Sequence, residues 1–249
     1  MPLNQIFRGR PWRGNTFIRK RATGVAGNPF LWDFSNGGMF TDVGGAVAAS
    51  SGQDVAALKS ATGLLLTQGT PGFRAQATAD GVTFGGDDYY QGSGAGLASL
   101  FNRIGDNSSA WEARVVFKLS NVATNQTIFS LFNTGGVSNI YEIMYLRIQS
   151  NGEVRFIYED DASSAKNITT TGETLSVDTL YAAEIVKDGE DVTLSIYEAG
   201  EGLIITKDGT FNNGDFSPNL LTIGALGRAT VSQELVSGAE IHDFEVFLP

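Results

Sequence analysis

The sequence predicts an all-β fold, a twisted sandwich of two antiparallel sheets, and three strand pairs in its second half carry that prediction. The clearest joins residues 141–149 to Glu153–Glu159 through Ser150-Asn151-Gly152. An Asn-Gly step between two apolar-rich runs marks a tight hairpin, because such a turn needs positive φ. The second joins 180–187 to Asp191–Glu198 through Asp188-Gly189-Glu190. There Val192, Leu194 and Ile196 alternate with Asp191, Thr193, Ser195 and Tyr197, as a half-buried strand requires. A weaker third runs 202–206 into a turn at Asp208-Gly209.

The remaining elements follow in chain order. Residues 1–28 show no sustained periodicity, and Pro2, Gly9, Pro11, Gly14, Gly24 and Gly27 break any helix or long strand. Yet Leu3, Ile6, Phe7, Trp12, Phe17 and Ile18 make the segment too apolar for a free tail. Ordering it costs roughly 1–2 kcal/mol per residue, and each buried apolar side chain returns roughly 1.5–3 kcal/mol. A docking surface must close that gap, so the segment reads as an arm seated on another subunit or across its own sandwich.

Phe30-Leu31-Trp32-Asp33-Phe34 opens the body as a short strand. Residues 54–66 are expected to hold a helical turn, interrupted at Gly63. Residues 81–91 read as strand, turn, strand. Leu97, Leu100, Phe101 and Ile104, at i, i+3, i+4 and i+7, predict one helix with a core-facing side. Residues 111–120 open the sandwich proper, with Val115, Phe117 and Leu119 opposite Arg114, Val116 and Lys118. Residues 127–132 follow. The centre of 141–149 (Ile143, Met144, Tyr145, Leu146) is apolar on both faces, which predicts an interior strand covered twice. The last strands are 220–226 and 241–248. No repeat or second domain interrupts the chain, which divides into an arm, 1–28, and a sandwich, 29–249.

Composition narrows the chemistry. A 249-residue chain with 42% hydrophobic residues can build one large β domain, and 31 glycines suit turns better than helices. Cysteine is absent, so disulfides and thiolate metal sites are excluded. No apolar run is long enough to span a membrane, and the first twenty residues lack a secretory core, so assembly in a cytoplasm is expected. The Asn-x-Ser/Thr triplets at 107, 125 and 167 are then chance. Residues 1–32 hold six basic residues and no acid, so the chain's net −10 becomes −16 for the remainder. Such a body repels nucleic acid, while Arg8, Arg10, Arg13, Arg19, Lys20 and Arg21, with Trp12 and Phe17, form a basic docking arm for an acidic protein partner.

Several stretches, in order, carry a resemblance: ADGVTFGGDDYYQG, SSAWEARVVFKLS, NGEVRFIYED, LYAAEIVKDGEDVTLSIYEAG, NLLTIGALGR and GAEIHDFEVFLP. Across 29–249 the chain resembles the concanavalin A-like lectin/glucanase superfamily, in its laminin-G-like branch. The lead-in LWDFSNGGMFTDVGGAVAASSGQDVAALKSATG is similar to those preceding such domains in tailed-phage structural proteins. The resemblance implies a concanavalin A-like jelly roll, a place in the virion after assembly in the bacterial host, and virion proteins as partners. Fold alone does not imply function.

Glucanase members of the superfamily use an E-x-D-x-E strand, whose alternation aims all three acids into one cleft with two of them about 5 Å apart. Here Glu240, Asp243 and Glu245 stand at i, i+3 and i+5, so a regular strand separates Glu240 from the other two. His242, the one histidine, reads as a surface residue, and zinc is excluded in practice. Calcium needs only oxygens, and laminin-G-like domains often bind it at the sandwich rim. Asp87-Asp88 and Asp160-Asp161 are the candidate ligands, although acids in turns are more often turn formers. Tyr89, Tyr90, Tyr141, Tyr145, Tyr158 and Tyr197 are available as glycan platforms.

The sequence therefore points to a non-enzymatic, cofactor-free virion protein, tail- or fibre-associated, homo-oligomeric and anchored by its arm. Host surface glycans are the expected ligand. A capsid decoration protein, a free lectin module and a polysaccharide hydrolase or lyase are the alternatives.

Overall fold

In the second half of the chain, β-branched and aromatic residues alternate with polar ones, and the backbone there forms the longest strands. The computed structural model describes residues 28–34, 37–106, 108–134, 143–159, 166–211, 216–227, 232 and 234–249. The first strands are short: β1 Leu31–Asp33, β2 Met39–Phe40, β3 Ala57–Lys59, β4 Leu65–Thr67, β5 Gln76–Ala77, β6 Val82–Thr83 and β7 Tyr90–Ser93. The helix α1, Ala98–Gly105, leads to β8 Trp111–Lys118, β9 Gln126–Phe132, β10 Ile143–Ile148, β11 Glu153–Glu159 and β12 Lys166–Thr174. Then come β13 Leu180–Asp188, β14 Asp191–Glu198, β15 Gly202–Thr210, β16 Leu220–Ile223 and β17 Glu240–Phe247.

These strands form two antiparallel sheets. The first has the order β15-β14-β13-β8-β17-β6-β5, with β1 also paired to β17. The second has the order β12-β11-β10-β9-β16-β7-β4-β3-β2. Their inner faces meet in one core, where Phe129 of the second sheet lies 5.1 Å from Phe244 of the first, centroid to centroid. Trp111 meets Phe156 across the same gap at 6.5 Å. The helix turns Leu100, Phe101 and Ile104 into this core, as its spacing predicts. The fold is the expected jelly-roll sandwich.

Both strong hairpins form. Gly152 sits at φ 83°, the left-handed region its turn requires. The strand β10 is interior, paired on both sides and buried on both faces. Its second face joins a small cluster of Phe132, Ile143, Tyr145, Ile157 and Leu226.

Two expectations need correction. Residues 54–66 hold no helical turn. Pairing overrides the ambiguous apolar run, because Ala56 and Lys59 donate their amides to Phe40 O and Gly38 O while Gln68 donates to Ala56 O. Asp208-Gly209 is not a turn but lies within β15. A Cβ at Gly209 would come within 2.8 Å of Ile168 Cγ1, so this glycine serves close approach between the two sheets' edges. The strand, turn, strand reading of 81–91 holds, and its turn carries the chain from the first sheet, at β6, to the second, at β7.

Candidate functional site

A polar row on the outer face of the second sheet is the strongest site among the described residues. Register places Thr169 of β12 beside Arg155 of β11, Arg155 beside Arg147 of β10, and Arg147 beside Thr127 of β9. Cross-strand partners on one face lie about 5 Å apart, and two like charges so placed destabilise the sheet. A β-bulge creates the row's last contact. The register slips between Leu146 and Arg147, Ile128 turns into the core, and Thr127 comes to the outer face. A second slip, between Glu153 and Arg155, breaks the ladder to β12 at the row's other end.

The polar atoms of the row point to a ligand. Arg155 Nε and Thr127 Oγ1 are buried with no hydrogen-bond partner among the described residues. The guanidinium of Arg147 lies 5.6 Å from the ring centroid of Tyr145, within cation–π range. Glu153, the nearest carboxylate along β11, is engaged elsewhere. It accepts from Gly172 N at 2.7 Å and from Gln149 Nε2 at 3.2 Å. The Gly172 hydrogen bond holds its pKa below the usual carboxylate value. Beside the row, the segment after β16 folds back over the sheet. Ser130 Oγ donates to Ala225 O at 3.1 Å and accepts from Gly227 N at 2.8 Å. A Cβ on Gly227 would meet Thr222 Oγ1 at 2.2 Å, so only glycine fits there.

The acids of β17 are arranged differently from the sequence expectation. A bulge at His242 resets the alternation: Glu240 pairs with Lys118, Asp243 with Val116 and Glu245 with Arg114. Those three partners alternate along β8, so all three acids share the outer face of the first sheet. Cations stand opposite two of them, and Lys118 Nζ lies 2.5 Å from Glu240 Oε1. His242 is not a surface residue. It is 8% exposed, its Nε2 lies 3.1 Å from Glu240 Oε2, and burial lowers its pKa against the opposing pull of Glu240.

The other candidates scatter. Asp88 is buried and accepts the Gly85 amide across its turn, and burial raises its pKa. Asp87 is exposed, and among the described residues no three acids, histidines or cysteines gather as a metal site. Tyr90 and Tyr158 are core residues, and Tyr89 packs against Phe73. Tyr197 lies on the first sheet's outer face, its hydroxyl donating to Glu184 Oε2 at 3.0 Å, and Tyr145 lies on the second's. Asp160, Asp161, Tyr141 and the eight arm residues, Arg8 to Arg21, lie outside the described residues. The arginine row was missed, although its signal was present: a turn centred on Asn151 sets Arg147 opposite Arg155.

No family model matches this chain, and no curated protein matches it. Solved structures share its fold. The CBM40 of the Ruminococcus gnavus IT-sialidase is similar with a TM-score of 0.52 at 18% identity, covering 68% of this chain and 89% of that one. Trypanosoma rangeli sialidase in complex with 2,3-difluorosialic acid is similar with a TM-score of 0.54 at 11% identity, covering 90% of this chain. This chain spans 31% of that sialidase.

Proposed function

We propose that this protein is a carbohydrate-binding β-sandwich that takes an anionic sugar on the outer face of its second sheet. One observation carries the reading: Arg147 and Arg155 face each other across the β10–β11 ladder, an arrangement that a bound carboxylate would turn from repulsion into a charge-assisted grip. Arginine's planar fork suits a sugar carboxylate, and Thr127 and Thr169 extend the row with hydroxyls. Support comes from the shared fold of a sialidase CBM40 and of a sialidase holding a sialic acid derivative. Calorimetry on the full chain tests it, with sialyllactose and neutral lactose as probes. Binding of the acidic sugar alone, weakened in Arg155→Ala, is expected; binding of neither sugar refutes the reading.

The setting we propose is the tailed-phage particle, with the sandwich tail- or fibre-associated and no enzymatic step. The lead-in of 31–63 and the charge split of the chain support that placement, and a capsid decoration role fits the same features. Mass spectrometry of purified virions tests it. A second reading, glycan hydrolysis, has one specific observation in its favour: the bulge at His242 gathers Glu240, Asp243 and Glu245 on one face. Lys118 and Arg114 opposite these acids weigh against it, since a glycosidase needs one carboxyl protonated to act as acid. Reducing-sugar release that disappears in Glu245→Gln would establish hydrolysis.

A further inference from the structure

The second sheet's outer face carries an aromatic pair that its core does not use. Tyr90 of β7 points into the core and Gln91 hydrogen-bonds outward to Thr222, so alternation sets Tyr89 on the outer side. Phe73 comes to it from the loop between β4 and β5, at the end of a 3-10 turn, Pro71–Phe73. The ring centroids lie 6.1 Å apart and the planes differ by 31°, so the pair forms one broad surface rather than an edge against a face. Phe73 is 39% exposed, yet its loop is braced. Arg74 Nε donates to Gln68 O at 3.0 Å, Gln68 Nε2 to Tyr89 O at 3.2 Å, and Thr70 N to Gln68 Oε1 at 2.9 Å. A ring held in place without being buried has its contact surface ready before any ligand arrives. The space around it is open, since a Cβ on Gly69 or Gly72 would meet nothing within 4 Å. Thr67 and Gln91, half-buried and paired across β4 and β7, supply a hydroxyl and an amide on the same face.

We propose that Phe73 and Tyr89 form a second sugar subsite, a stacking platform for consecutive neutral pyranose rings of gluco configuration. Such a ring carries C–H groups on its faces and hydroxyls at its rim, the pattern that an aromatic pair flanked by hydrogen-bonding side chains complements. Gln91 Nε2 donates to Thr222 Oγ1 at 3.3 Å, which fixes the amide beside the platform. Charge selects a neutral ligand. Asp87, exposed, precedes Tyr89 by two residues, and the guanidinium of Arg74 is turned to Gln68 O and Gly69 O. A protein partner is a poorer occupant, because a stable interface takes about 800 Å² from each side, and two aromatic side chains offer about 150–250 Å² each. The platform is also distinct from the arginine row: β10, which carries Arg147, is three strand spacings from β7, about 14 Å. This inference goes beyond the anionic-sugar reading and does not depend on it. Lactose, with one ring of the required kind, covers only part of the platform.

Titration of the full chain with cellotetraose and with chitotetraose tests it, followed by amide shifts in proton–nitrogen correlation NMR. Sugar is added to about 10 mM, above a millimolar Kd. At least one of the two is expected to shift the amides of Gly69, Gly72, Phe73 and Tyr89. Phe73→Ala should lower that affinity about tenfold, Phe73→Tyr should restore it, and Arg155→Ala should leave it unchanged. Phe73→Ala should also leave sialyllactose binding as it is in the parent chain, so either site can fail without the other. No shift with either sugar overturns the proposal, as do shifts confined to other surfaces and an unchanged affinity in Phe73→Ala. Shifts at these amides that grow with protein concentration alone would mark self-association and overturn it too. Should Phe73→Ala fail to fold, the shift map of the parent chain decides.

Discussion

The two outer faces of this sandwich share one core and carry opposite chemistry. On the second sheet two arginines stand side by side, and on the first Glu112, Glu184, Glu240, Asp243 and Glu245 share one face with Arg114 and Lys118. Inward positions are fixed by packing, which Phe129 against Phe244 and Trp111 against Phe156 illustrate. Outward positions are released from that demand, and there each sheet has acquired its own charge. Bulges do the final aiming on both faces. One at Ile128 brings Thr127 beside Arg147, and one at His242 brings Glu240 into line with Asp243 and Glu245.

Removing an arginine is the sharpest way to break the contrast. Arg155→Ala should lower affinity for sialyllactose by about 10–100-fold, the range for a lost charge-assisted hydrogen bond, in calorimetric titration. The same substitution should leave thermal stability unchanged or raised, because it removes a like-charge cross-strand pair. A merely structural arginine would show the reverse.

Next in size is the seat of the segment that folds over the second sheet. Gly227→Ala forces a methyl against Thr222 Oγ1, and should cost about 1–3 kcal/mol in urea unfolding.

A pH titration should separate the faces further. Burial lowers the pKa of His242, so the unfolded chain takes up a proton near its ordinary value of about 6.5 before the folded chain does. The stability that neutral His242 contributes is therefore complete above about pH 6.5 and is lost as pH falls towards the folded value. Melting curves from pH 8 to pH 5 should show that slope, reduced in His242→Gln. The arginine row adds nothing to it, since arginine stays charged throughout. The smallest effect is expected at the partly exposed pair of Lys118 and Glu240, where Lys118→Ala should cost about 1 kcal/mol or less in the same melts.

Much of the fold was legible because strands and turns are local. Alternation in 180–198 and the Asn-Gly step at 151–152 are properties of a few neighbouring residues, and so is the spacing of Leu97, Leu100, Phe101 and Ile104. Bulges are not local, because an extra residue is defined only against the partner strand. For that reason Glu240 was assigned to the wrong face and His242 to the surface. The turn misread at Asp208-Gly209 has a similar cause, since Gly209 answers to Ile168, forty-one positions away. The arginine row lay between these cases: Arg147 and Arg155 face each other by hairpin symmetry, but only the Ile128 bulge adds Thr127.

The histidine bulge has a consequence for reading this strand as text. Were His242 deleted, Glu240, Asp243 and Glu245 would keep their partners on β8, and the strand would spell Glu-Ile-Asp-Phe-Glu. A strand lacking that one letter would thus display the same acidic surface. Scanning for the motif character by character passes over this strand, because the extra residue is defined only by its pairing with β8.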